Sequence, residues 1–501
     1  MSNPPSPAPT SSAAGDRPAG APGAARPRSI AANSAALALA QALVKALGFA
    51  VVFVLTRSVS VEAYGRFAFA AGFAAMFLPL ADPGADFHTT RMISRHPEQA
   101  SEYLGASLWL KTLLLPVLAL VSCGVAWLTG HRGEALLLVV FAVSSNWLLV
   151  FCGSYLSVLR GLRRMDYEAM FLVITRVAAV ALSLGALWMG GGVLAVGGIQ
   201  VVATALGVPL VMLYATQMGI APRRARLWAL VRELLTEGVP FAATGVLVMV
   251  YFRIDMLMLS QMRGERSVGF YGAGTTLMFT VLIASQVLVS AVFPVIARHR
   301  SLADPEARAV ATRAMTLSLL MSLPFAVGAW LVGAPVLALL FGRTYAVAAP
   351  AFTFLMSTLP FLFMNSLVGI CLGAIGRQRL VMAIAGVNLV VNVALNLFLI
   401  PRMDYAGAAL ATLLSEAGGT CMMAIALRGD MLALFPPRTL LGLLAANAAL
   451  AGLVYAVRAW PVLAVIAIGG VAYLGLVLAL RLFQLSDLKS LAPAAGGGGA
   501  A

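Results

Sequence analysis

The chain has 501 residues, of which 61% are hydrophobic and only 11% charged, and its mean hydropathy is +0.93. This composition excludes a soluble globular protein, and the lack of segments that alternate polar and apolar residues excludes a transmembrane β-barrel. The net charge of +15 comes from basic residues scattered singly through short loops, which is typical of a polytopic membrane protein and not of a nucleic-acid-binding patch. We therefore expect an all-α polytopic membrane protein that does not bind nucleic acid.

The N-terminal residues 1–30 are rich in Pro, Ala, Gly and Ser and predict a disordered basic tail. The apolar run that follows contains Lys45 and lacks a convincing small-residue cleavage site, so it is predicted to be a first transmembrane helix and not a signal peptide. Further runs long enough to cross a bilayer recur along the chain, before a second disordered tail at 486–501. About fourteen helices are predicted, at 33–56, 65–81, 104–129, 135–159, 168–190, 192–217, 237–262, 269–297, 311–333, 347–374, 379–400, 404–427, 437–457 and 460–482.

Two pairs of segments indicate an internal duplication. Segment 63–68 opens the second predicted helix with a Tyr-Gly pair, and segment 268–273 opens the eighth with another. Segments 161–192 and 376–407 have equal length, and each begins and ends with glycine. We interpret the chain as two six-helix lobes related by an axis along the membrane normal.

The duplication divides the chain into units. They are an N-terminal lobe at 31–217, a cytoplasmic linker helix at 218–236, a C-terminal lobe at 237–430 and two additional transmembrane helices at 431–485. Most of the 34 basic residues fall in loops on the side of the N terminus. The positive-inside rule then predicts that both termini are cytoplasmic.

Four charged residues lie well inside predicted spans: Lys45, Arg176, Arg253 and Asp255. A charge at the bilayer centre costs roughly 2.5–3.5 kcal/mol, so such residues usually face a protein interior or a wet cavity. Three of the four are basic, and Arg and Lys both suit phosphate, which predicts a cavity for an anionic substrate. The structural alternative is that Asp255 neutralises Arg253 and that Arg176 snorkels to an interface.

Polar residues of the C-terminal lobe form a second candidate set. Asn388, Asn392 and Asn396 recur at every fourth residue, so they lie on one face of a helix, where they either line the substrate cavity or join helices by hydrogen bonds. Asp255 and Glu416 are the candidate ion-coupling residues, for H+ or Na+, although Glu416 would also serve as partner to a basic residue. No other cofactor and no metal site are expected, since the cysteines and histidines show no ligand spacing.

Two further interpretations concern the first lobe. Lys111 lies about two turns into its predicted helix, so its amine is expected to snorkel to the cytoplasmic interface. The segment 82–103 is long for an inter-helix connection and is interpreted as a solvated loop, with a gate over the cytoplasmic mouth as the alternative.

Several motifs, in this order and spacing, resemble those of polysaccharide and O-antigen-type flippases of the multidrug/oligosaccharidyl-lipid/polysaccharide superfamily. They are Tyr64-Gly65, 253–259, 268–271, Asn388, Asn392, Asn396, Ile400-Pro401, 407–409 and Thr412. The resemblance covers about residues 30–430. It implies a two-lobed bundle that works by alternating access and moves undecaprenyl-diphosphate-linked oligosaccharide repeat units across the bacterial inner membrane. Such transport serves the synthesis of lipopolysaccharide or exopolysaccharide, and the implied partners are the lipid-linked oligosaccharide, membrane lipids and the polysaccharide polymerase or export machinery.

Other functions remain open at this stage. A flippase for lipid II, the peptidoglycan precursor, also needs a basic cavity. A cation-coupled drug or metabolite antiporter of the same superfamily would gather acids in its cavity, for which only Asp255 and Glu416 are available. An enzyme is not expected, since the chain has neither a phosphate-binding Gly-Lys-Ser/Thr loop nor a long outward loop with catalytic carboxylates.

Overall fold

The computed structural model describes residues 30–296, 304–374, 376–427 and 436–482. The expected tails, apart from Ile30, lie outside the described residues. Within those ranges the regular structure is helical, which confirms the all-α class. The helices are α1 Ile30–Ser58, α2 Val61–Met76, α3 Leu78–Ala81, α4 Ala85–Arg95, α5 Ala100–Leu128, α6 Gly133–Gly161, α7 Met165–Trp188, α8 Val193–Gln217, α9 Leu227–Arg263, α10 Glu265–Ile296, α11 Pro305–Phe341, α12 Ala349–Ala374, α13 Gln378–Ala426, α14 Pro437–Val457 and α15 Val462–Ala479.

The described part of the chain contains 13 helices that are long and apolar enough to cross a membrane. One of them, α13, has 49 residues and would be roughly 70 Å long if straight, more than twice the hydrocarbon thickness. It is broken at Asp404, whose φ is 55°. The amide of Asn392 donates to Ser415 Oγ at 3.1 Å, so residues 378–403 and 405–426 lie side by side as two spans. The expectation of about fourteen spans is therefore confirmed.

The helices of the two halves pack in matching pairs. In the first half α1 packs against α7, and in the second half α9 packs against α13. The second spans of the two halves, α2 and α10, pack against each other, and α14 and α15 pack on α11. This arrangement places α1, α2, α9 and α10 around the middle of the molecule.

The connection between the halves differs from the separate linker helix expected at 218–236. A single helix, α9, begins at Leu227 and runs unbroken to Arg263. Before it, the backbone N–H of Arg223 donates to the carbonyl of Ser101 at 2.9 Å. Trp228, near the start of α9, packs edge-on against Trp109 of α5 with ring centroids 4.5 Å apart. The first turns of α9 are thus fastened to the first lobe.

The segment after α2 is folded and not an open loop. Its helix α4 carries Asp86, which accepts a hydrogen bond from Lys111 Nζ at 2.6 Å. The same amine donates to the carbonyl of Val150 at 3.0 Å, and the Lys111 side chain is fully buried. The expectation that Lys111 snorkels to the interface is therefore wrong, because a carboxylate partner for its charge lies inside the protein.

Candidate functional site

Three basic residues that the sequence singled out lie together at the middle of the molecule. Lys45 of α1, Arg176 of α7 and Arg253 of α9 line one cavity of about 270 Å³, which α2 and α10 also border. Because these residues are far apart in sequence, the packing of the lobes brings them together. Within the described residues, none of the three is paired with a carboxylate. The cavity therefore has a concentration of positive charge that suits an anion.

The small residue Gly48 determines how Arg176 reaches the cavity. Arg176 crosses α1 and donates from Nε to the carbonyl of Val44 at 3.3 Å. A Cβ on Gly48 would overlap the guanidinium, so the absence of a side chain there creates the passage. Arg253 lies over the ring of Phe279, with its Cζ 4.8 Å from the ring centroid, and this cation–π contact leaves its N–H groups for other partners.

Asp255 does not pair with Arg253, although the two are close in sequence. It is buried inside the second lobe, where it accepts hydrogen bonds from Tyr271 Oη at 2.8 Å and Thr412 Oγ1 at 2.8 Å. A third bond comes from Asn396 Nδ2 at 2.6 Å. Residues two apart on a helix do not share a face, which explains why Arg253 faces the cavity while Asp255 faces the protein interior.

The asparagine stripe extends this buried network. Asn396 Nδ2 also lies 3.0 Å from Asn392 Oδ1, and Asn392 bonds onward to Ser415. Asn396 Oδ1 is buried and has no hydrogen-bond partner among the described residues. The stripe thus lies inside the second lobe, and neither Asn388 nor Asn392 lines the cavity that contains Lys45.

Glu416 is the second buried acid of this lobe. It accepts a hydrogen bond from Tyr251 Oη at 2.6 Å and another from Asn365 Nδ2 at 2.7 Å. Asn388 Nδ2 in turn donates to Tyr251 Oη at 3.1 Å. In the part of the chain that the structure describes, Glu416 has no basic partner. Two carboxylates, Asp255 and Glu416, are therefore buried close together with only neutral donors around them.

Sequence reasoning missed the donors that hold these two acids. Tyr271 and Thr412 occur in the motifs that resemble those of the flippases, but they were not predicted to contact Asp255. Tyr251 and Asn365 belong to none of the motifs or repeats found in the sequence. A helical register could have found Tyr251, because it lies one turn before Asp255 on the same face.

The cavity is closed where α2 and α10 begin. A Cβ on Gly65 would overlap the carbonyl oxygen of Glu265, and a Cβ on Gly269 would overlap that of Val61. The two backbones approach this closely because neither glycine has a side chain. Since α1 crosses from the N-terminal side and α2 begins beyond it, this contact lies on the face opposite the N terminus. We call it the far-side seal.

Polar contacts join the lobes at the same seal. Arg66 of α2 bonds to Glu134 of α6 at 2.7 Å and to Glu265 of α10 at 2.8 Å. His131, in the connection before α6, has its Nε2 2.9 Å from Ser260 Oγ of α9. Opening the far side would have to break these contacts and separate the two glycines.

Two lobes around a charged cavity that is sealed at one end are the architecture of a polytopic transporter. A family model described as polysaccharide biosynthesis protein matches residues 30–300, and a second, described as MatE, matches residues 240–398. The chain belongs to the polysaccharide biosynthesis protein family. The resemblance found in the motifs is thereby confirmed.

Individual relatives agree with this assignment. The chain is 23% identical, over 65% of its own length and 68% of the relative's, to the probable low-salt glycan biosynthesis flippase Agl15 of Haloferax volcanii. Its fold is similar to that of the lipid II flippase MurJ in an inward closed conformation, with a TM-score of 0.70 at 15% identity, covering 89% of this chain and 98% of that one. It is also similar to an inward-facing multidrug resistance MATE transporter of the MOP superfamily, with a TM-score of 0.60 at 15% identity, covering 78% and 98%.

Proposed function

We propose that the chain is a flippase that moves undecaprenyl-diphosphate-linked oligosaccharide repeat units across the bacterial cytoplasmic membrane, for the synthesis of surface polysaccharide. The observation that carries the proposal is the cavity lined by Lys45, Arg176 and Arg253 without carboxylate partners among the described residues. A diphosphate in the membrane interior needs cationic donors, and the guanidinium group can offer two parallel N–H groups to it.

The lobes would move the substrate by rocking about the cavity. In the structure the far-side seal is closed, so substrate would enter from the side of the N terminus, which the distribution of basic residues predicts to be cytoplasmic. Parting of Gly65 and Gly269 would then open the other face. The cations would offset the diphosphate charge throughout the passage, which lowers the electrostatic barrier at the bilayer centre.

The buried acids of the second lobe are proposed as the ion-coupling site. The carboxylate of Asp255 is buried and accepts hydrogen bonds from Tyr271, Thr412 and Asn396 with no basic partner among the described residues, so its charge is available to a proton or a small cation. Asp255 is bonded through Tyr271 to α10, a helix of the far-side seal. A proton or Na+ at Asp255 or Glu416 would therefore act on the helix that has to move.

A lipid II flippase is the second candidate, and the fold shared with MurJ favours it. Its substrate carries the same undecaprenyl diphosphate, so the cationic cavity suits it equally. A drug antiporter fits less well, because cationic drugs would meet three positive charges in the cavity. Neither candidate nor the main proposal requires enzymatic chemistry, and a polysaccharide polymerase would be the expected partner of a repeat-unit flippase.

The test replaces the cavity cations in the native host. Lys45→Ala and Arg253→Ala should each abolish surface polysaccharide while the protein remains at normal abundance in the membrane. Arg458→Ala is the matched control, since Arg458 makes the same cation–π contact, over Tyr455, at the end of α14 and away from the cavity. Normal polysaccharide in both cavity variants would contradict the proposal. Rescue of a strain depleted of its peptidoglycan flippase would favour the lipid II alternative.

A further inference from the structure

The first lobe contains a second cavity that the proposed function does not use. Its volume is about 450 Å³, within the range of small-molecule sites. Helices α1, α2, α6, α7 and α8 form its walls, so it lies within one lobe and not between the two. Its polar lining consists of hydroxyls, amides and one guanidinium, from Ser145, Asn146, Thr175, Arg176, Gln200 and Thr204.

Several of these polar groups have hydrogen-bonding capacity to spare. The amide of Asn146 makes no hydrogen bond within the described residues, and Gln200 Nε2 likewise has no acceptor there. Thr204 Oγ1 donates to the backbone carbonyl of Gln200 at 2.7 Å and lies 3.1 Å from Ser145 Oγ, so both oxygens keep lone pairs that can accept from a ligand. Unpaired amides and hydroxyls that line a pocket can donate to and accept from a polar ligand that enters it.

Arg176 connects this pocket to the cationic cavity. It lines both, together with Gly48 and Phe67, and its Nη1 approaches Gln200 Oε1 at 3.5 Å. A ligand whose diphosphate lies between Lys45 and Arg253 would therefore have the next part of its headgroup at the mouth of this pocket. In an undecaprenyl-diphosphate-linked substrate, that next part is a sugar.

We propose that the pocket of the first lobe is a sugar subsite, which receives the first sugar residues attached to the diphosphate. The amides of Asn146 and Gln200 and the hydroxyls of Ser145 and Thr204 match the mixed donors and acceptors of sugar hydroxyls. Phe67 and Phe171 supply aromatic surface beside them. No carboxylate lines the pocket among the described residues, so no negative charge there opposes an acidic sugar. This inference rests on the proposed function and specifies the substrate's position.

The experiment measures binding of two lipids to the purified full chain in nanodiscs. One lipid is undecaprenyl diphosphate, and the other is undecaprenyl-diphosphate-linked N-acetylglucosamine. Asn146→Leu and Thr204→Val should each weaken binding of the sugar-bearing lipid by about threefold to tenfold, the usual effect of one lost hydrogen bond, and leave binding of the bare lipid unchanged. Thr216→Val is the matched control, because Thr216 lies on the same helix, is exposed and also bonds to a backbone carbonyl.

The outcomes separate this inference from the proposed function. If the wild type binds neither lipid, the proposed function falls. If the wild type binds both lipids equally, or if Asn146→Leu and Thr204→Val weaken both lipids alike, the sugar subsite is refuted while the flippase proposal stands. Arg253→Ala provides the contrast, since it should weaken binding of both lipids to the same extent.

Discussion

In both lobes the first and fifth spans pack together, but the charged side chains at this contact are basic in the first lobe and acidic in the second. In the first lobe, the first span α1 packs on the fifth span α7, and this contact carries Lys45 and Arg176. In the second lobe, the first span α9 packs on the fifth span, residues 378–403, and this contact carries Asp255 and Asn396. One contact is basic and borders the cavity, and the other is acidic and buried. This difference is the basis of the two proposed sites, one for an anionic substrate and one for a coupling cation.

The acids that lie between helices of a single lobe differ in the same way. In the first lobe, Asp86 pairs with Lys111 at 2.6 Å and Glu168 pairs with Arg160 at 2.5 Å. In the second lobe, Asp255 and Glu416 are bonded only to hydroxyls and amides in the described part of the chain. The charge of a buried acid that has a basic partner is compensated within the protein, whereas that of an acid without such a partner is available to a mobile cation.

The largest effect is expected from Asp255→Asn. This change removes the charge and keeps the shape, and the hydroxyls of Tyr271 and Thr412 can reverse direction to meet the new amide. We expect Na+- or pH-driven transport in proteoliposomes to be abolished while the unfolding temperature stays the same or rises. Asp166→Asn is the control, because Asp166 pairs with Arg164 at the start of α7. If ion-driven transport survived in Asp255→Asn, the proposal that the second lobe contains the ion-coupling site would be wrong.

Asp86→Ala is expected to destabilise the protein strongly without specifically abolishing ion-driven transport. Lys111 would be left fully buried with only Asp82, whose Oδ1 lies 3.8 Å from its amine, to offset its charge, which costs up to about 3–5 kcal/mol of unfolding free energy. Asp166→Ala breaks a half-exposed ion pair and should cost about 0–1 kcal/mol. Denaturant unfolding in detergent measures both. Equal small losses would show that the acids of the first lobe are no more structural than those of the second.

The sequence allowed some of these features to be predicted and not others. The basic residues of the cavity were predictable because a charge inside a membrane span is costly unless it faces the protein interior or a wet cavity. The role of Lys111 was not, because its partner Asp86 lies in a segment whose polar composition indicated a loop, although helix α4 forms there. The asparagine stripe was predictable as one face of a helix, but periodicity alone does not tell whether that face meets a cavity or another helix.

A smaller effect is expected at the far-side seal, where the two lobes meet. Gly65→Ala places a methyl group against the carbonyl of Glu265, so the closed seal becomes unfavourable and the population opened on that face increases severalfold. A cysteine at Thr276, which lines the cavity, would be labelled faster by an impermeant reagent added on that face. Gly185→Ala is the control, since nothing lies within 4 Å of its added Cβ. Unchanged labelling in Gly65→Ala would mean that this contact does not close the pathway.

The smallest effect concerns pH and His131, which lies between two spans at the same seal. Burial lowers the pKa of His131, whose ring stacks on Phe69 with centroids 4.0 Å apart; nearby Glu265 opposes this shift and Arg132 adds to it. The sealed state therefore favours the neutral ring. When the lobes part and the ring is hydrated, its pKa returns toward the ordinary 6.5. The contribution of His131 to sealing is thus fully present above pH 6.5 and is lost as the pH falls below it. Over that range the equilibrium constant for the sealed state relative to the open state falls by at most about tenfold per pH unit.

Labelling of Thr276→Cys, expressed relative to a freely exposed thiol at the same pH, should therefore increase from pH 7 to pH 5 when His131 is present; the reference is needed because the reactive thiolate becomes scarcer as the pH falls. His131→Phe keeps the stacking on Phe69 and removes the titrating group, so its labelling should lose most of this pH dependence. The same acid response in both proteins would show that groups other than His131 cause it, such as Glu134 and Glu265, which pair with Arg66 at the seal. That result would attribute the pH response of the seal to its ion pairs, whereas the expected result attributes it to His131.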